Sequence, residues 1–297
     1  MNKEKKRNIE VIVLSDIHLG TYGCKAKELL NYLNTIDPEI LVLNGDIIDI
    51  WQFSKRYFPK PHMKVIKYLT GLLTKGTQIY YVTGNHDEIF RKFAGFQIGS
   101  FEIVNKLVLK LNGSKAWIFH GDVFDITMRH SKWLAKLGAI GYDMLIHLNT
   151  LINWLSLKMG RGRISLSKKI KNGVKTAMKY INNFEDTAAE IAISNGYDYV
   201  VCGHIHQPQM RKIKNKEGKE VLYLNSGDWI ENMSALEYNN GEWKVYYYSE
   251  DPLVAKGSKT EVTTEFDLMT VDLENKQLFS NIVKEFQILA LNGTRHQ

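Results

Sequence analysis

The chain has 297 residues, of which 44% are hydrophobic and 24% charged, with 22 Gly and 5 Pro. This is an ordinary globular composition, and it excludes collagenous, low-complexity and largely disordered classes. The formal net charge of +7 favours polyanionic company such as nucleic acid, an anionic lipid surface or phosphorylated substrates. The 2 cysteines, Cys24 and Cys202, form neither a disulfide framework nor a CxxC pair, which points to a reducing compartment.

The N-terminus, MNKEKKRNIEVIVLSD, is basic, but its apolar run ends at Ser15, too short for a signal peptide or an anchor. Short apolar runs then recur, each followed at once by a polar cluster: VIVL before SDIHLG, EILVL before NGDIID, QIYYV before TGNHD, AWIF before HGD, and DYVVC before GHIH. Runs of this length and β-branched content predict buried strands, with the polar residues at their C-terminal ends. Between the first three lie helical patterns at Cys24–Asn34 and at Pro61–Lys75, the latter stopped by Gly76, which gives a βαβαβ order. Ile103–Phe119 reads as a hairpin around Asn112 and Gly113. Gln209–Tyr248 reads as antiparallel strands with turns at Asn215–Gly218 and Asn239–Gly241. The fold class is α/β with two mixed sheets.

Residues 128–183 interrupt this order. From Arg129 to Lys179 there are eleven Lys or Arg against one acid, Asp143, so the basic character of the whole chain sits in this one segment. Leu134, Leu137, Met144, Leu148, Leu151, Ile152 and Leu155 fall at helical spacing. The uncharged run Met144–Leu157 is shorter than the roughly 20 residues that span a bilayer. The reading divides the chain into a core of residues 1–127 and 184–250, a basic amphipathic helical insertion or lid at 128–183, and a C-terminal extension at 251–297 with a closing helix at Ser280–Leu291.

The polar residues at the strand ends are Asp16, His18, Asp46, Asp49, Asn85, His86, Asp87, His120, Asp122, His204 and His206. A lone DxH or HxH is ordinarily a turn or a solvated pair, but strand ends on one sheet edge converge in space. Carboxylate, imidazole and amide donors without thiolate suit divalent Mn, Fe, Zn, Ni or Co. With Asp46 reaching two centres, ions about 3.5–4 Å apart would be clamped for phosphoryl displacement. Gly45, Gly84, Gly121 and Gly203 beside these residues permit tight turns and close approach.

The ordered set SDIH, NGDIID, GNHD, HGD and GHIH resembles the five-block signature of calcineurin-like metallophosphoesterases. That resemblance implies a four-layer sandwich of two mixed β-sheets flanked by helices, and two divalent metal ions. Asp16, His18, Asp46 and His206 would hold one ion; Asp46, Asn85, His120 and His204 would hold the other. His86 would contact the phosphate and protonate the leaving oxygen, with Asp49 orienting it. GDIIDIW, HGDVFD, FED, VCGHIHQP and YLNSGDWIE further resemble the bacterial UDP-2,3-diacylglucosamine pyrophosphatase branch, as do GYDMLIHLNTLINW and SLSKKIKNGVK. Members of this branch cleave that substrate to UMP and 2,3-diacylglucosamine 1-phosphate in lipid A synthesis, usually with manganese. His86 stands where the best-known enzymes of that branch carry Arg. The resemblance implies a lipid-linked nucleotide sugar as substrate and a cytoplasmic protein, peripheral on the inner face of the membrane.

Further candidates are Trp51 and Phe53 at a substrate rim, Asp125 and Asp122 behind His120, and Lys168, Lys171 and Lys175 toward the substrate or an anionic membrane surface. Asn225, Gly227, Asp228 and Trp229 could close the pocket. A phosphodiesterase or phosphatase of other nucleotides or phosphoproteins is the alternative enzyme reading, and a scaffold built on the same fold the non-enzyme one. Nucleic acid fits less well, because the basic residues alternate with an apolar face where aromatic platforms would be expected.

Overall fold

A computed structural model describes residues 6–51, 58–124, 181 and 183–252. Phe53, Asp125, Lys168, Lys171 and Lys175 lie outside these residues, as do nearly all of the basic insertion and the C-terminal extension.

The first sheet is built from β1 (Arg7–Leu14), β2 (Ile36–Asn44), β3 (Gln78–Val82), the two-residue β4 (Gln97–Ile98) and β5 (Phe101–Val104), closed by β11 (Ser234–Asn239) and β12 (Glu242–Tyr247). Its order is β12-β11-β1-β2-β3-β5-β4, with β1, β2, β3 and β5 parallel and the edges antiparallel. The second sheet has β6 (Leu107–Leu111), β7 (Ser114–Ile118), β8 (Tyr199–Cys202), β9 (Gln209–Lys214) and β10 (Glu220–Asn225) in the order β6-β7-β8-β10-β9. Here β7, β8 and β10 are parallel.

Strand alternation builds the layers. Val11 and Val13 of β1 join Val42, Val82, Ile118, Val201 and Leu224 between the sheets. Their neighbours Ile12 and Leu14 point the other way, under α1 (Ala26–Asn34) and α2 (Lys60–Leu73). A third helix, at 183–194, lays Ala188, Ala189 and Ala192 on the outer face of the second sheet against Val200, Cys202 and Tyr223. Helix, sheet, sheet, helix gives the four layers. Trp229, with no exposed surface, is core.

One expected hairpin is shorter than the sequence suggests. Ile103 belongs to β5 in the first sheet, and only β6 and β7 form the hairpin of the second. Its turn sits at Asn112 and Gly113, whose φ values of 48° and 89° are those of a primed turn matched to strand twist. Likewise β9 and β10 pair in one sheet while β11 and β12 pair in the other.

Candidate metal centre

The parallel strands β1, β2 and β3 of one sheet and β7, β8 and β10 of the other deliver their following loops to a common edge. Backbone bonds weld these loops: Asp16 N–H donates to the Gly45 carbonyl (3.1 Å), Gly203 N–H to that of His120 (2.9 Å), and Trp229 N–H to that of Asp16 (3.1 Å). Among the described residues, eight non-glycine residues have positive φ, and five of them are Asp16, His18, Asp46, His204 and His206. Such backbones cost on the order of 1–3 kcal/mol each and persist where the surrounding structure imposes them, commonly at functional sites.

Three groups of side chains each bring three donor atoms within 4.8 Å of one another: Asp16, His18 and His206; Asp46, His120 and His204; and His18, Asp46 and His86. Asp16 Oδ1, His18 Nε2, Asn85 Oδ1 and His120 Nε2 are buried without a hydrogen-bond partner. His206 Nε2 lies 3.0 Å from Asp16 Oδ1, and His120 Nε2 lies 3.2 Å from Asp46 Oδ2. An orphaned atom without such a neighbour, as at Asn85 Oδ1, costs about 1–3 kcal/mol. Oxygen and nitrogen donors crowded this way fit divalent cations.

The imidazoles are held from behind. His120 Nδ1 is 2.9 Å from the Asn44 carbonyl oxygen, His18 Nδ1 is 3.4 Å from Asp49 Oδ2, and His206 Nδ1 faces Asp228 Oδ2 at 3.9 Å. In each ring the other nitrogen is thereby turned to the centre, the usual arrangement for a ligating histidine. Asp228 is itself fixed, accepting the N–H groups of Ile230, Glu231 and Asn232 on Oδ1.

Close packing leaves no room beside the donors. A Cβ on Gly84 would stand 2.3 Å from Asp46 Oδ1, and one on Gly45 2.4 Å from His120 Nδ1. Gly84→Ala will therefore displace Asp46 and weaken metal binding about 10- to 100-fold, the range for disturbed outer-shell partners. Metal titration by calorimetry checks this; an unchanged affinity would show that Asp46 is not a ligand.

Asp49 Oδ2 also lies 2.9 Å from His86 Nδ1, so one carboxylate oxygen serves both His18 and His86. Trp51 is 60% exposed, and its ring rests on His86 with centroids 4.4 Å apart. His86 N–H donates to Asp46 Oδ1 at 2.8 Å.

Burial alone would raise the Asp16 carboxyl, but His206, His120 and His18 outweigh it and hold Asp16 well below the usual carboxylate range. Asp46 is lowered against its burial, chiefly by His120. Conversely, burial would lower His206, yet Asp16 raises it from 6.5 to about 9. In the metal-free protein the stability contributed by the raised His206 is full below about pH 6.5 and is lost as pH rises through about 9. A cation competes with those protons, so metal affinity will rise with pH across this window and binding will release protons. Calorimetry in buffers of different ionisation enthalpy reads that release; a pH-independent affinity would contradict it.

Two expected residues do other work. Asp87 accepts the N–H groups of Gly84 (2.6 Å) and Ile47 (2.9 Å) and the Tyr81 hydroxyl (2.6 Å), so it anchors the loop and offers no donor to the centre. Asp122 pairs with Arg91, while the partner of His120 is the Asn44 carbonyl, which leaves no residue-type signal in a sequence. His62 of α2 carries no motif in the sequence, yet its Nδ1 accepts the Gly20 N–H at 2.9 Å and steadies the His18 loop. Asn225, expected at the pocket, donates to the Gly203 carbonyl (2.9 Å) and accepts from Gly227 N–H (3.0 Å), tying the loops after β8 and β10.

A family model described as calcineurin-like phosphoesterase matches residues 9–208. The chain belongs to the calcineurin-like phosphoesterase family, and is a metal-dependent phosphoester hydrolase. A UDP-2,3-diacylglucosamine hydrolase of Blochmanniella pennsylvanica is 25% identical over 253 residues, 82% of this chain and 98% of that one. A protein of the same description from Aliivibrio fischeri is 25% identical over 246 residues, 80% and 96% of the two chains. Among solved structures, Yfce, a phosphoesterase from E. coli, superposes with a TM-score of 0.41 at 16% identity, covering 80% of this chain and 92% of that one. No described helix is long and apolar enough to cross a membrane.

Proposed function

We propose that the protein hydrolyses the pyrophosphate of UDP-2,3-diacylglucosamine to UMP and 2,3-diacylglucosamine 1-phosphate. The convergence of seven donor side chains from both sheets, three of them with an orphaned buried atom, carries the hydrolase reading. The substrate rests on the relatives bearing that name, which align with nearly their whole length. Asp16, His18, Asp46 and His206 hold one ion, and Asp46, Asn85, His120 and His204 the other; manganese is the metal proposed. Bound there, two such ions would lower the pKa of a water and offset phosphate charge. His86, with Nδ1 held by Asp49, turns Nε2 to the phosphate and passes a proton to the leaving oxygen. Burial would lower the pKa of this ring, but Asp49 and Asp46 outweigh it and raise it above the ordinary histidine value. Trp51 forms part of the rim.

A manganese-supplemented assay of UDP-2,3-diacylglucosamine beside UDP-glucose and an aryl phosphodiester tests the reading. The lipid substrate should be preferred, and in oxygen-18 water the label should enter UMP. Preference for the aryl diester would favour the alternative phosphodiesterase.

The basic insertion, with Lys168, Lys171, Lys175 and the indoles of Trp133 and Trp154, is proposed to hold acyl chains and rest on the inner face of the cytoplasmic membrane. Each basic residue near an anionic surface contributes about 1 kcal/mol. Sedimentation with anionic vesicles at low salt should carry the protein down, and changing Lys168, Lys169, Lys171 and Lys175 to Glu should release it. Absent or unaltered binding would sink this part.

A further inference from the structure

We infer that Arg91 binds the second phosphate of a pyrophosphate substrate, and that Asp122 holds its guanidinium in place until the substrate arrives. This rests on the pyrophosphatase reading above.

Arg91 lies in the short 3-10 segment Glu88–Phe93, directly after the loop of Asn85 and His86. Its Nη2 donates to Asp122 Oδ2, and Asp122 stands two residues after His120 and acts on that ring electrostatically. The pair thus joins the loop after β3 to the loop after β7 at the edge where the donors gather. Among the described residues, the other Arg and Lys ion pairs join Arg7 to Glu237, Arg211 to Glu185 and Asp186, and lysines to Glu217 and Glu220. None of those acids is in a ligand-bearing loop.

The Arg91 side chain is 33% exposed and that of Asp122 14%. Both ends of the pair are half-buried, and the guanidinium keeps part of its surface open to water. Asp122 engages one Nη, which leaves the rest of a planar five-donor fork suited to phosphate oxygens. The ion site and His86 address the phosphate under attack. In a pyrophosphate the neighbouring phosphate carries its own charge, and among the described residues Arg91 offers a guanidinium at this edge.

The test uses manganese-loaded enzyme, with UDP-2,3-diacylglucosamine as the pyrophosphate and a bis-aryl phosphodiester as the single-phosphate substrate. Arg91→Ala should lower kcat/KM about 10- to 100-fold more for the pyrophosphate than for the diester, the range for a lost charged hydrogen bond. Arg91→Lys should recover part of that loss. Asp122→Asn weakens the pair yet keeps the guanidinium, so the pyrophosphate-to-diester ratio should hold or rise. Equal losses on both substrates, or the same loss of ratio in Arg91→Ala and Asp122→Asn, would make the pair a mere latch between loops and overturn the inference. If the wild-type protein cleaves only the diester, the pyrophosphatase reading fails by itself. Inhibition of diester cleavage then still reads Arg91: Arg91→Ala should weaken inhibition by inorganic pyrophosphate about 10- to 100-fold relative to inorganic phosphate, and parallel changes would overturn the role.

Discussion

Asp46→Ala will empty the centre and abolish activity together. Asp46 is 2% exposed, belongs to two of the three donor groups, and approaches His120 Nε2 at 3.2 Å. Its other oxygen accepts the His86 N–H at 2.8 Å, so the same carboxylate fixes the loop that carries Asn85 and His86. Removing it takes a donor from each proposed ion and loosens that loop. Losing an outer partner costs about 10- to 100-fold in affinity or activity, and loss of a shared ligand should exceed that range. Metal analysis alongside turnover checks the result. Two ions retained in Asp46→Ala would mean that Asp46 bridges nothing.

His86→Ala should behave oppositely, keeping both ions while losing about 10²- to 10⁴-fold in kcat, the range for a general acid. Distance alone does not make this distinction, since His86 lies in a donor group with His18 and Asp46. Its surroundings do. Nδ1 is taken by Asp49 at 2.9 Å, the side chain is 24% exposed, and Trp51 covers one face. A phosphorylated sugar leaves readily, so the loss should fall toward the low end. An empty centre in His86→Ala would reassign the ring as a ligand.

The strands and their polar ends were legible because two signals coincide. A β-branched run such as VIVL fixes a buried strand, and period-two alternation then sends Val11 and Val13 between the sheets and Ile12 and Leu14 under the helices. What stayed hidden depends on main chain and distant partners. Nothing in the residue types foretells that Asp16, His18, Asp46, His204 and His206 take left-handed backbones, or that a carbonyl at Asn44 orients His120. Asp87 and Asp122 carry the same carboxylate as Asp16 and Asp46, and only their hydrogen bonds set them apart. The crossover after Val104 leaves no signal in the sequence because β5 and β6 are separated by just Asn105 and Lys106, a gap that reads equally well as one strand.

The central claim is that two divalent ions sit among these strand-end residues with Asp46 between them. Anomalous diffraction at the manganese edge, from crystals of the manganese-loaded protein, tests it most directly. The account predicts two peaks, one within reach of Asp16, His18 and His206, the other of Asn85, His120 and His204, both next to Asp46. A single peak, or peaks away from these side chains, would contradict it.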